Sequence, residues 1–252
     1  LAGAHMGIVY LVASVSMVFA GGFIRRFGAA RMSHVALLAT AIGLALGAVG
    51  ALWAFALSAF LIGAGSAFST PASSDILARY APPKHAPLIF SIKQTGVPAG
   101  GMLGGILVPF LINSWDWQVM FLTLGGSCLA LAIAFQAVRK RFDVNRNPNH
   151  QINFTQGYYT LRGVIVPRPF RYLVYATFTF CGLQGVFGAF FVAYLVEGLG
   201  MTLATAGGTF AFAQAASIAF RIVWGGVAGT WGAKPVIAIL GISMAFIAIA
   251  CG

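Results

Sequence analysis

A chain of 252 residues that is 60% hydrophobic and only 8% charged lies far outside the soluble globular range, where about a quarter of residues carry charge. The net charge of +11 does not indicate nucleic acid: apart from Lys93 and Arg221, Lys and Arg lie in or at the edges of gaps between apolar runs and build no basic face interleaved with aromatics. The charge reads as membrane topology.

About 20 apolar residues are needed for a helix to cross a bilayer. In chain order eight such spans are predicted: 5–24, 32–50, 52–77, 87–113, 117–138, 171–196, 202–226 and 234–252. The run from 32 to 74 is too long for one helix, and Gly47–Trp53 supplies its break, a glycine turn with an interfacial Trp. The fold class is therefore an all-α polytopic membrane protein.

Arg25, Arg26 and Arg31 fall in the first gap, Arg79 and Lys84 in the third, and Lys234 in the seventh. The fifth gap holds or adjoins Arg139, Lys140, Arg141, Arg146, Arg162, Arg168 and Arg171. Even-numbered gaps hold no Lys or Arg, but carry Asp116 and Glu197, with Trp115 and Trp117 as interface anchors. Odd gaps are thus cytoplasmic, and the first span runs from outside to inside. The long basic gap at 139–170 reads as a linker between two bundles, acting as a solvated tether or as a contact for anionic lipid.

Cys128, Cys181 and Cys251 lie inside separate spans without metal spacing and are expected to be packing residues. His5 and His34 lie near span ends. No metal, no cofactor and no enzyme activity are expected. Nucleophile–base pairs and phosphate loops are missing from the sequence, and its four acids are scattered.

One cassette occurs twice, 204 residues apart, each time at the end of a span. The first copy is Gly21-Gly22-Phe23-Ile24-Arg25-Arg26-Phe27-Gly28-Ala29-Ala30-Arg31; the second is Gly225-Gly226-Val227-Ala228-Gly229-Thr230-Trp231-Gly232-Ala233-Lys234-Pro235. Such a repeat points to two homologous halves, a common plan among transporters.

This cassette, repeated on either side of a basic central loop, resembles the major facilitator superfamily (MFS). So does the stretch from Asp75 through Trp117, with Asp-Ile-Leu-Ala-Arg-Tyr-Ala-Pro-Pro, a Gly-rich helix and Ser-Trp-Asp-Trp. The resemblance implies the MFS fold of two six-helix bundles, here truncated to about eight spans corresponding to helices 2–9. Residues 1–138 would be the N-terminal bundle (helices 2–6), 139–170 the cytoplasmic linker, and 171–252 part of the C-terminal bundle (helices 7–9). It implies a secondary active transporter of a small solute, working by alternating access in the cytoplasmic membrane of a bacterium. The expected partners are that solute, the lipid bilayer and a coupling proton or other ion, with a monomeric state. Gly21, Arg25, Arg26, Gly28 and Arg31, with Gly225 and Gly232, would form the gating-loop motif. Two positions depart from the family pattern: its loop acid is replaced by Arg25 and, in the second copy, by Gly229. Drug–proton antiporters of the superfamily carry an Arg where this chain has Ala59, upstream of Gly63-x-Gly65-x-Ala67.

Ionisable groups inside a span are costly, about 2.5–3.5 kcal/mol on insertion scales, which makes Arg221 and Lys93 candidates for substrate binding. Arg221-x-x-x-Gly225 resembles the helix-8 arrangement of carboxylate carriers, and a guanidinium meets a carboxylate through two parallel hydrogen bonds. In proton-linked carriers an acid precedes that Arg by four residues; here the position is Ser217. Both cations also lie near enough to span ends to snorkel toward the headgroups. Gln94, Gln184 and Gln214 could add neutral contacts or bridge helices. Asp75 and Arg79, spaced i,i+4, form a candidate inner-end ion pair. The leading expectation is an organic anion (carboxylate) transporter. The alternatives are an exporter of amphipathic compounds or drugs, and a truncated membrane protein that no longer transports.

Overall fold

The computed structural model describes residues 2–251, except for the side chains of Ala2, Val138, Phe154, Gln156, Thr160, Val164, Pro169, Ala248, Ala250 and Cys251. The helices in chain order are α1 (Ala2–Phe27), α2 (Ala29–Gly47), α3 (Leu52–Tyr80), α4 (Ala86–Gln94), α5 (Gly96–Ser114) and α6 (Trp117–Phe142). They continue with α7 (Phe154–Ile165), α8 (Arg168–Ala193), α9 (Leu203–Trp231) and α10 (Ala233–Cys251). A 3-10 turn at Pro83–His85 precedes α4, and a π turn at Tyr194–Gly198 extends α8. Among the described residues there is no strand. Seven helical segments among the described residues are long and apolar enough to cross a membrane, with α4 and α5 together forming one of them. The shorter apolar stretch Ala233–Ile247 lies in α10, where the eighth span was expected.

Turns fall where glycine permits them. The described residues with positive φ are Gly28, Gly50, Gly200 and Gly232, each at a junction between helices. Gly28 (φ 100°, ψ 147°) and Gly232 (φ 86°, ψ 160°) are equivalent positions of the repeated cassette, and they share one backbone conformation. The repeat is therefore conformational as well as sequential.

The first amides of a helix lack intrahelical acceptors. At α2 the acceptor comes from far away in sequence: Asp143 takes hydrogen bonds from the Ala30 amide at 2.8 Å and the Arg31 amide at 3.0 Å. A Cβ on Gly28 would collide with this carboxylate, so Gly28 serves both the positive φ and the approach of Asp143. Nearby, the Asn147 amide donates to the Arg25 carbonyl at 2.8 Å. The beginning of the basic linker is thus bonded to the first loop, and its later part folds into α7, capped by the Asn153 side chain accepting from the Thr155 amide.

By contacts the chain forms two compact units, Leu1–Ile76 with Val108–Met201, and Leu77–Leu107 with Thr202–Gly252. The first packs through small residues. A Cβ at Gly63 would lie 2.6 Å from the Val9 carbonyl oxygen, one at Gly65 2.9 Å from that of Ala36, and one at Gly125 3.2 Å from that of Ala41. Helix backbones approach this closely where lipid supplies no hydrophobic drive and packing must hold the bundle. Large side chains face outward, as with Leu11, Ile133 and Phe178, the reverse of a water-soluble core.

Replacing Gly28 by Ala should lower the melting temperature of the detergent-solubilised protein, by left-handed strain of about 1–3 kcal/mol together with displacement of Asp143. Gly232→Ala shares the strain but meets nothing within 4 Å. Its loss, measured by the same thermal melt, should be the smaller of the two.

Candidate functional site

In the second unit α9 packs against α4 and α5. A Cβ at Gly225 would collide with Ser91, one at Gly101 would lie 2.7 Å from Gln214 Nε2, and one at Gly105 2.6 Å from the Gly207 carbonyl oxygen. Position numbers rise along α4–α5 as they fall along α9, so the helices are antiparallel. These contacts pair Ser91 with Gly225, Gly101 with Gln214, and Gly105 with Gly207 and Ala211. Steps of four and three, the spacing of one helix face, extend them to two rows: Pro87, Ser91, Gln94, Pro98, Gly101 and Gly105 on one helix, Gly207, Ala211, Gln214, Ile218, Arg221 and Gly225 on the other. That register sets Gln94, whose side chain is exposed, level with the half-buried Arg221.

That level also lacks one helix hydrogen bond. Pro98 is fully buried and has no amide to offer the Gln94 carbonyl, and α4 ends at Gln94. Thr95, between α4 and α5, keeps right-handed helical angles (φ −68°, ψ −17°), its amide donating to the Ser91 carbonyl at 3.2 Å and its carbonyl accepting from the Ala99 amide at 2.9 Å. The span therefore continues through Pro98 as one segment with a bond missing.

Arg221 is half-buried, and its Nε donates a long bond of 3.5 Å to Ser217 Oγ. The acid of the proton-linked pattern is thus replaced by a neutral hydroxyl that does meet the guanidinium. The second unit contains Arg79, Lys84, Lys93, Arg221 and Lys234 but no Asp or Glu.

The other expected site residues are placed differently. Lys93 is half-buried but sits one position off the packed row, on the side of Val97, Gly100 and Gly104. A Cβ at Gly100 or Gly104 would meet nothing within 4 Å, so the close helix approach belongs to Gly101 and Gly105 and not to the Gly96, Gly100, Gly104 series. Gln184 lies exposed on α8 in the first unit. Asp75 and Arg79 lie one turn apart at the end of α3. Of the loop residues, Gly21 and Arg25 line a small cavity beside α7, Arg26 stacks on the Phe27 ring at 5.5 Å, and Arg31 gives its amide to Asp143. Ser217 was read from the sequence as the replacement of an acid, whereas Ser91 and Asp143 were not singled out. Ser91 could have been found from the four-three rows; Asp143 announces itself only as an acid after a basic run.

The first unit holds a cavity of about 460 Å³, lined by Ala4, His5, Met6, Ile8, Leu52, Phe55, Ala56 and Phe121. Apart from His5, whose ring meets Phe55 edge-on at 6.2 Å, its walls are apolar.

The family model described as "Major Facilitator Superfamily" matches residues 1–252. The chain belongs to the major facilitator superfamily. Its members are transporters, and this one is a multi-pass membrane protein. An "uncharacterized transporter YybO" of Bacillus subtilis (strain 168) is 29% identical over 140 residues, which are 54% of this chain and 32% of that protein. No solved structure matches the chain.

The packed rows predict a graded glycine series in this MFS chain. Gly105→Ala presses a methyl on backbone and should cost about 1–3 kcal/mol by overpacking. Gly101→Ala meets only the end of Gln214 and should cost less. Gly100→Ala and Gly104→Ala, in open space, should gain up to about 1 kcal/mol of helix propensity. Thermal melts of the four variants in one detergent check the order.

Proposed function

We propose that the protein is part of a secondary transporter for a small organic anion, with Arg221 as the group that holds the substrate's carboxylate. The observation that carries this reading is Arg221 on the packed face of α9, meeting a neutral Ser217, in a unit without a single acid. A buried guanidinium without a carboxylate is expensive in a membrane, and a carboxylate substrate neutralises it on arrival. Gln94, level with Arg221, and Gln214 on the same row supply neutral hydrogen bonds, while Lys93 adds positive potential from the side. Gln184 joins the site only if α8 borders the same passage.

In this reading the two-bundle division at 139–170 separates the rocking halves, Asp75 and Arg79 serve the inner gate, and the protein resides in a bacterial cytoplasmic membrane as a monomer. Alternating access brings the anion past the α4–α5 span at the level of its missing hydrogen bond. Coupling to a proton would use a group other than an acid preceding Arg221.

A second reading, export of amphipathic compounds, draws on the 460 Å³ cavity in the first unit, of a size and apolar character suited to small molecules. Against it stands Ala59, fully buried where the drug–proton antiporters carry an Arg.

Uptake of a carboxylate panel by the full-length parent in vesicles tests the proposal. One acid should be carried, and Arg221→Ala should raise its KM roughly ten- to a hundredfold, the loss of a charged hydrogen-bond pair. Arg221→Lys keeps the charge without the planar fork and should recover only part of the affinity. Uptake unchanged in Arg221→Ala would sink the reading; carriage of amphipathic cations or neutral compounds instead would favour the second.

A further inference from the structure

We propose that α7 and the groove it makes with α1 hold an anionic phospholipid of the cytoplasmic leaflet. The argument rests on depth, surface and charge. After Asn147 bonds to the Arg25 carbonyl, the chain climbs α1: Ile152 lies 3.8 Å from where a Cβ of Gly22 would be, and a Cβ on Gly157 would lie 2.8 Å from Val18 Cγ1. Val18 is seven residues before Arg25, about 10 Å along the helix toward the bilayer centre. With Arg25 on the cytoplasmic side, α7 is therefore seated at the boundary of headgroups and acyl chains, the depth at which interfacial amphipathic helices lie.

Its surface fits that place. Gly157 takes the face against α1, and the row Tyr158, Leu161, Ile165 is left exposed at 62%, 44% and 46%. An exposed apolar row is poorly suited to water and well suited to lipid chains. Between α1 and α7 lies a cavity of about 230 Å³, lined by the apolar Met17, Val18, Phe19 and Ile152 together with Arg25 and Asn153. The absent side chains of Gly21 and Gly22 make room for it. A cleft that joins apolar side chains to an arginine and an amide fits an acyl chain and the phosphate that follows it. Residues 139–171 add Arg139, Lys140, Arg141, Arg146, Arg162, Arg168 and Arg171 against one acid, Asp143, which is already bonded to α2. An anionic leaflet is the complement of that charge.

The test uses the full-length protein in vesicles of phosphatidylcholine alone or mixed equally with phosphatidylglycerol, followed by hydrogen–deuterium exchange over residues 152–166. Exchange should slow severalfold in the mixed vesicles. Arg25→Gln should abolish the difference, and Arg25→Lys should keep most of it. Native mass spectrometry should show phosphatidylglycerol retained over phosphatidylcholine by the parent and not by Arg25→Gln. If Arg25→Gln does not fold, the parent's two-lipid comparison and Arg162→Gln, which should halve the difference or more, still decide. Equal exchange in both vesicles with no preferred lipid retained would overturn the proposal. Equal slowing in both would do so as well, since it would make the helix a neutral apolar contact.

Discussion

Within a bilayer no water is available to take up a backbone N–H or C=O, and nearly every feature of this protein answers to that constraint. Helices satisfy themselves along their length, so the difficulty concentrates at ends and breaks. At the start of α2 the solution is a carboxylate from the end of α6; at the start of α9 it is the Thr202 hydroxyl, accepting from the Thr205 amide. The same constraint explains why a proline within the α4–α5 span matters. Its missing amide leaves a carbonyl to be satisfied by something other than the helix, at the level where Arg221 faces across.

With lipid outside as apolar as the residues themselves, cohesion comes from contact area and not from expelling water. This is why the tight points are Gly63 of α3 against α1, Gly65 of α3 against α2 and Gly105 of α5 against α9, each meeting a backbone atom of its neighbour. The two conditions together leave little freedom for charge. A cation must either lie outside the spans, as those of the basic linker do, or be held on a packed helix face, as Arg221 is.

The spans and their turns were legible in the sequence because length, hydropathy and glycine set them locally. Gly47 ends α2 and Leu52 begins α3 where the break was expected. The equivalence of Gly28 and Gly232 could be seen as a repeated cassette before their shared backbone angles were known. Arg221 and Gln214 stood out as polar residues in an apolar span, but their sharing of one face with Gly225 needed a packing partner to give it meaning. Lys93 was, like Arg221, a cation within a span, and on its own helix it is separated from the packed row by a single step of rotation, about 100°. Asp143 was illegible for a different reason: its role is a contact 113 residues long, and nothing local marks the receiving amides. The helix within the basic linker was hidden in the same way, since polar composition masks a short amphipathic pattern that α1 stabilises.

The long reach of Asp143 has a consequence for biogenesis. Membrane helices are inserted in order as the chain leaves the ribosome, and α2 enters the bilayer while the residue that completes its first turn has yet to be made. Through the synthesis of α3, α4, α5 and α6 the α1–α2 junction has only local support, from the backbone bonds around Gly28 and the packing of Ala20 and Ile24 with Ala29 and Met32. Only when the end of α6 has been made does the start of α2 acquire its carboxylate acceptor. The arrival of Asp143 therefore completes the α1–α2 junction late.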